Sequence, residues 1–173
     1  NKIIKPTVEY MKEIGNEFTG ILYAGLILND GEPKLIEYNV RFGDPECQAL
    51  CVRLGAQIFD IYFSGAKNEL SGLSINEASD SAITVIVAEK GYPKNPRSGC
   101  ELNDIVDIKY SKALMIFHAG TYFENNFLCN TGGRIFSFTV RSKNLNDART
   151  IVYKELTKIE NDNVFYRTDI GNY

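Results

Sequence analysis

The sequence predicts an α+β fold: a β-hairpin with helices, then a small, mostly antiparallel sheet with one long helix. Three observations predict it. Residues 20–28 are almost continuously apolar, and Asn29-Asp30-Gly31 separates them from a stretch, 35–42, that alternates apolar and polar. That is the pattern of two paired strands around a turn. Beyond residue 75 the chain breaks into short β-branched and aromatic runs punctuated by Gly, Pro and Asn. Near the C-terminus, Leu145, Ala148, Val152, Leu156 and Ile159 return at helical spacing.

Composition bounds the function before any motif does. A chain of 173 residues suits one domain or two small ones. The net charge of −3, with no basic run, argues against nucleic acid as a partner. No apolar run reaches the ~20 residues of a membrane span, and no signal peptide is visible, so the expected location is the cytoplasm. Cys47 and Cys51 fall within a helical apolar stripe, and the lone His118 completes no familiar zinc spacing with the cysteines. Small buried thiols are the expectation for Cys47 and Cys51.

Taken in order, 6–14 reads as a short helix with Pro6 in its first turn and Gly15 at its end. Residues 20–42 form the hairpin, with both strands expected at the centre of a core. Asp44 is a natural N-cap and Pro45 a natural first residue for a helix carrying Cys47, Leu50, Cys51 and Leu54. Gly55 breaks it, and 56–63 continues as a second helix. A polar, small-residue stretch then places a boundary near residue 75, dividing the chain into 1–75 and 76–173. Strands are expected at 81–88, 105–110, 113–121, 127–131 and 134–140, with a Pro/Gly loop at 91–99. Asn144 caps the last helix, and Asp147 stands three residues on.

The chemistry concentrates in 35–46. Read as a strand, this stretch puts Ile36, Tyr38, Val40 and Phe42 on one face and Glu37, Asn39 and Arg41 on the other. Carboxylate and carboxamide oxygens at alternate positions suit a hard cation, and a guanidinium beside them suits an anion. The same pattern also describes a solvated polar face, and the residues alone leave both readings open. Asp44 serves either as a helix cap or as a group that orients an amine. Glu46 serves either the helix dipole or the same amine.

The run Glu37-Tyr38-Asn39-Val40-Arg41-Phe42-Gly43-Asp44-Pro45-Glu46-Cys47-Gln48 resembles the signature of the phosphoribosylamine–glycine ligases, which are ATP-grasp enzymes. Upstream, Thr19-Gly20-Ile21-Leu22-Tyr23-Ala24-Gly25-Leu26 is similar to the strand that precedes it. Downstream come Lys90-Gly91-Tyr92-Pro93, Phe117-His118-Ala119-Gly120-Thr121, Thr131-Gly132-Gly133-Arg134 and Tyr166-Arg167-Thr168-Asp169-Ile170-Gly171, in family order over essentially the whole chain.

The resemblance implies a ligase of purine synthesis that joins glycine to 5-phosphoribosylamine through a glycyl phosphate, with ATP converted to ADP and phosphate. It implies that 1–75 ends an ATP-grasp domain and that 76–173 is the C-terminal domain. The remaining ATP-grasp and N-terminal domains would be its partners, and the isolated segment would be inactive. By the same resemblance, Glu37 and Asn39 hold Mg²⁺ or Mn²⁺ with the nucleotide. Arg41 and Asp44 serve the reacting groups, Arg41 gripping an anion unless it merely pairs with Asp44 or Glu46. Ile27 lies under the adenine, unless it is a plain core isoleucine. His118 is expected to be structural. Gly132-Gly133-Arg134 is either a phosphate approach or a bulge with a surface arginine.

Two departures from the family pattern stand out. Residues 20–28 contain no acid, where many ATP-grasp enzymes carry a second acid facing the first. Lys94-Asn95-Pro96 also lacks the aromatic often found there. The competing readings are another ATP-grasp carboxylate–amine ligase and a binding module without catalysis.

Overall fold

A computed structural model describes residues 2–76, 78–106, 108, 111 and 113–172. The chain divides into two compact units, one of residues 1–47 and 56–76, the other of 48–55 and 77–173.

The first unit holds α1 (Ile4–Glu13), β1 (Tyr23–Asn29), β2 (Glu32–Asn39), the first residues of α2 (Glu46–Leu54), α3 (Gln57–Ala66) and a 3-10 turn at Leu70–Gly72. The β1–β2 turn needs two residues of positive φ, and Asp30 (51°) and Gly31 (77°) supply them. Pro6 falls inside the first turn of α1, where a missing N–H costs nothing. The start of α1 is tied to the hairpin through Tyr38, whose hydroxyl lies 2.6 Å from Thr7 Oγ1 and donates to the Ile3 carbonyl at 3.2 Å.

The hairpin is not the centre of a core. It is a two-stranded sheet, and Gly43 is the only buried residue among those described in this unit. Ile36 is 66% exposed and Val40 74%. Two strands and short helices cannot cover both faces of a ribbon. Nor does the alternation of 35–42 run unbroken. Gly25 pairs with Glu37 but Leu26 pairs with Leu35, so Ile36 is the extra residue of a β-bulge.

The second unit contains β3 (Ser81–Glu89), α4 (Asn103–Val106), β4 (Leu114–His118), β5 (Thr121–Glu124), β6 (Phe127–Asn130), β7 (Arg134–Ser142), α5 (Leu145–Leu156) and β8 (Val164–Tyr166). Four of the strands form an antiparallel sheet in the order β4-β7-β3-β8, and β5-β6 is a separate hairpin. Strand β7 is central, and six successive residues, 135–140, are buried on both of its faces. Ala148, Val152 and Leu156 of α5 pack into the same core as Val85, Val87 and Phe138. The later residues of α2 join this unit. Gln48 Nε2 donates to Ser137 Oγ at 3.3 Å, and Arg141 Nη1 donates to the Val52 carbonyl at 3.1 Å.

The cap of α5 forms as expected, with Asn144 Oδ1 accepting the Asp147 N–H at 2.9 Å. Asn144→Ala should therefore cost about 1 kcal/mol in a denaturant unfolding titration.

The strand expected at 105–110 is replaced where the chain is described. Residues Asn103–Val106 form the helix α4, and 107, 109 and 110 lie outside the described residues. The buried positions are Leu102, Ile105 and Ile108, a spacing of three that suits tight helical turns rather than a strand. The strand expected at 113–121 is also divided. β4 ends at His118, and the chain passes Ala119-Gly120 before β5. A Cβ on Gly120 would lie 2.9 Å from the Arg134 carbonyl oxygen, so only glycine fits this approach.

Candidate active site

Cross-strand pairing assembles the candidate site on one face of the hairpin. In register, Tyr23 opposes Asn39 and Gly25 opposes Glu37. Paired residues point to the same side of a sheet, so Tyr23, Glu37 and Asn39 share a face. Alternation along β1 adds Ile27, 55% exposed, to that face beyond the bulge.

Gly25 leaves room for the acid. A Cβ there would stand 3.2 Å from Glu37 Cγ, so the Glu37 side chain lies across the glycine. Asn39 Nδ2 donates to Glu37 Oε1 at 3.0 Å, which holds the two side chains together.

A second carboxylate comes from the helix start. Glu46 Oε1 accepts the Tyr23 hydroxyl at 2.9 Å. Its Oε2 occupies the space where a Cβ of Gly43 would be, 2.2 Å from that position. Tyr23 thus stands between carboxylates. Its hydrogen bond to Glu46 raises the phenol above its ordinary range, helped by partial burial and by the charges of Glu46 and Glu37. Tyr23 and Gly43 escape a motif-by-motif reading. Tyr23 sits in an apolar run where its ring looks like packing, and only its pairing opposite Asn39 reveals the hydroxyl's place.

Gly43→Ala should push Glu46 aside and break its bond to Tyr23. The alkaline ionisation of Tyr23 should then move to lower pH, read as an ultraviolet difference against Tyr23→Phe.

Arg41 and Asp44 do not continue the polar face as a strand. β2 ends at Asn39, and Arg41 Nη1 donates to the Phe42 carbonyl at 2.7 Å. Asp44 is not the residue next to the helix. α2 opens at Glu46, after a turn containing the cis Asp44–Pro45 peptide. The Gly43 carbonyl takes the Cys47 N–H at 2.9 Å.

The other motifs have structural partners in the second unit. His118 Nδ1 lies 2.9 Å from Thr121 Oγ1, and its ring meets Phe136 edge to face at 5.0 Å. The Arg134 guanidinium lies over the Tyr92 ring at 6.0 Å. Tyr153 and Arg149 of α5 clasp the last motif. The Tyr153 hydroxyl donates to the Arg167 carbonyl at 2.9 Å, and Arg149 Nη2 donates to the Thr168 carbonyl at 2.9 Å. Cys129 is buried, which pushes its thiol up.

Among the described residues no three His, Cys, Asp or Glu side chains gather as a metal-ligand set. None of their helices is long and apolar enough to cross a membrane.

Residues 82–173 match the family model described as phosphoribosylglycinamide synthetase, C domain. Residues 1–47 match that of the ATP-grasp (A) domain of the same synthetase. The chain belongs to the phosphoribosylglycinamide synthetase family.

Its relatives in the family include the phosphoribosylamine–glycine ligase of Brucella melitensis, 37% identical over 170 residues, which are 98% of this chain and 40% of that protein. The chloroplastic phosphoribosylamine–glycine ligase of Arabidopsis thaliana is 41% identical over 98% of this chain and 32% of its own length. A crystal structure of the phosphoribosylamine–glycine ligase of Thermotoga maritima superposes with a TM-score of 0.76 at 28% identity, over 92% of this chain and 39% of that one. The chain therefore spans well under half the length of each of these synthetase relatives.

Proposed function

We propose that this chain is the C-terminal portion of a phosphoribosylamine–glycine ligase. The enzyme joins glycine to 5-phosphoribosylamine, giving glycinamide ribonucleotide, ADP and phosphate in purine synthesis. The observation that carries the proposal is the match to both an ATP-grasp and a C domain of one synthetase, in that order along the chain. We assign 1–75 to the end of the ATP-grasp domain and 76–173 to the C-terminal domain, acting in the cytoplasm on small molecules.

The reaction divides into two transfers. The glycine carboxylate attacks the γ-phosphorus of ATP, and ADP leaves. The amine of phosphoribosylamine then attacks the acyl carbon of the glycyl phosphate, and inorganic phosphate leaves. A bound divalent cation supplies charge neutralisation on the phosphates.

Glu37 and Asn39 would hold that cation, and the hydrogen bond that sets their side chains 3.0 Å apart on one face supports the assignment. Half a turn of the Asn39 carboxamide exchanges its nitrogen for its oxygen. Two protein oxygens suit Mg²⁺ or Mn²⁺ completed by phosphates and water. Ile27 offers an apolar side chain on the same face for the adenine. Arg41 binds an anionic oxygen of glycine or of the transferred phosphate. Asp44 and Glu46 flank the amine. A neutral amine needs little base catalysis, so they orient it rather than deprotonate it.

The remaining domains of the enzyme supply the other walls of the site, and the segment alone is inactive in this reading. They also cover the exposed apolar surface of the hairpin. The test is ADP release by the full-length protein with Mg²⁺-ATP. Release that requires both glycine and phosphoribosylamine supports the proposal, and release indifferent to either one contradicts it.

A further inference from the structure

We propose that Tyr23 is a positioning residue of this active site: its hydroxyl holds the Glu46 carboxylate for the substrate amine and keeps it off the cation held by Glu37 and Asn39. The proposal rests on the ligase reading above.

Three geometric observations carry it. Tyr23 is the cross-strand partner of Asn39, so the phenol rises from the same face as the proposed cation ligands. The hydroxyl donates to Glu46 Oε1 at 2.9 Å, and this bond joins the strand to the first residue of α2. Glu46 Oε2 lies over Gly43, where any larger residue would displace it; a Cβ there would also stand 3.0 Å from Tyr23 Cζ. One carboxylate oxygen is thus fixed by a hydrogen bond and the other by a glycine cradle.

The arrangement answers a problem that the site would otherwise have. A dication attracts every nearby carboxylate, and Glu46 on a free side chain would become a third ligand. It would then be lost to the amine. A phenol is a suitable tether, because its O–H donates to the carboxylate from a rigid ring. Glu37 has no such tether. Among the described residues its carboxylate bonds to the Asn39 carboxamide, a partner that shares the cation rather than drawing the acid away from it. The two acids are sorted into two tasks by what holds them.

The test uses the full-length ligase, in steady-state kinetics of wild type, Tyr23→Phe, Glu46→Gln and the double variant. Phenylalanine keeps the ring beside Gly43 and removes only the hydroxyl. Losing one hydrogen bond to a charged group should raise the KM for phosphoribosylamine about tenfold. The released Glu46 should also shift the KM for Mg²⁺-ATP, a shift absent from the double variant, while the melting temperature stays as in wild type. Since Tyr23 acts through Glu46, the double variant should be no worse than Glu46→Gln alone. Wild-type kinetics in Tyr23→Phe overturn the proposal, as do losses that multiply in the double variant or a fall in melting temperature with unchanged constants. A wild-type protein that does not require phosphoribosylamine overturns the ligase reading itself and this proposal with it.

Discussion

Replacing Glu37 with glutamine in the full-length enzyme is expected to abolish ligation, with a loss in kcat of about 10³-fold or more. The substitution keeps the size of the side chain and its place over Gly25. It removes the carboxylate charge proposed to hold the cation. Asn39→Ala is expected to act in the same direction by removing the second oxygen. Both variants should fold, since neither position is buried in the described structure. Near-normal turnover by either variant with Mg²⁺-ATP would remove the cation assignment. Circular dichroism and melting temperature, measured alongside, separate lost chemistry from lost structure.

The second large effect is expected in the other unit. Glu89 ends β3 with a side chain that is 0% exposed. Its Oε2 accepts the Gly91 N–H at 2.6 Å and the Arg97 N–H at 3.0 Å, and its Oε1 accepts Arg97 Nε at 3.1 Å. Burial pushes this carboxyl up, but the two backbone N–H groups and the Arg97 guanidinium outweigh it and hold the carboxyl below its ordinary value. Asn130 grips the same loop, donating to the Arg97 carbonyl at 2.7 Å and accepting the Cys100 N–H at 2.8 Å.

Glu89→Gln would turn an NH2 group toward N–H donors at a buried position. The melting temperature of the chain should fall by about 10 °C. The sign of the pH effect follows from the lowered value. Between the ordinary 4.5 and the lower folded value, the unfolded chain binds more protons than the folded one. The stabilisation is therefore complete above pH 4.5 and disappears as pH falls through the folded value. Acid titration of wild-type melting should show this loss, and Glu89→Gln should lack it.

What the sequence reveals divides along physical lines. The turn at Asp30-Gly31 is legible because positive φ admits few residues, and both adopt it. The α5 cap was legible for a similar reason, since Asn144 and Asp147 act over three residues. The pair Glu37 and Asn39 was legible as a shared face because two residues along a strand return to the same side.

The readings that failed needed distant partners. Ile36 alternates in sequence, but the bulge depends on how β1 pairs with it. The hairpin reads as core by composition, yet burial depends on what covers it. Residues 105 and 108 read as strand because β-branched residues favour strands, and the third-residue burial that includes Leu102 decided otherwise. The role of Tyr23 needed both a register and a helix start, neither of which is written in its neighbours. Family motifs such as Lys90-Gly91-Tyr92-Pro93 mark a loop, but Glu89, the residue that holds it, looks in sequence like an ordinary strand-end acid.

The cation that Glu37 and Asn39 are proposed to hold is central to the chemistry, and paramagnetic resonance of Mn²⁺ tests it most directly. The full-length protein, titrated with Mn²⁺ in the presence of ATP, should show a bound-ion signal in wild type. That signal should be lost or strongly weakened when Glu37→Gln and Asn39→Ala are combined. An unchanged bound signal and affinity in the double variant would show that the ion is held elsewhere, and would contradict a cation site on β2.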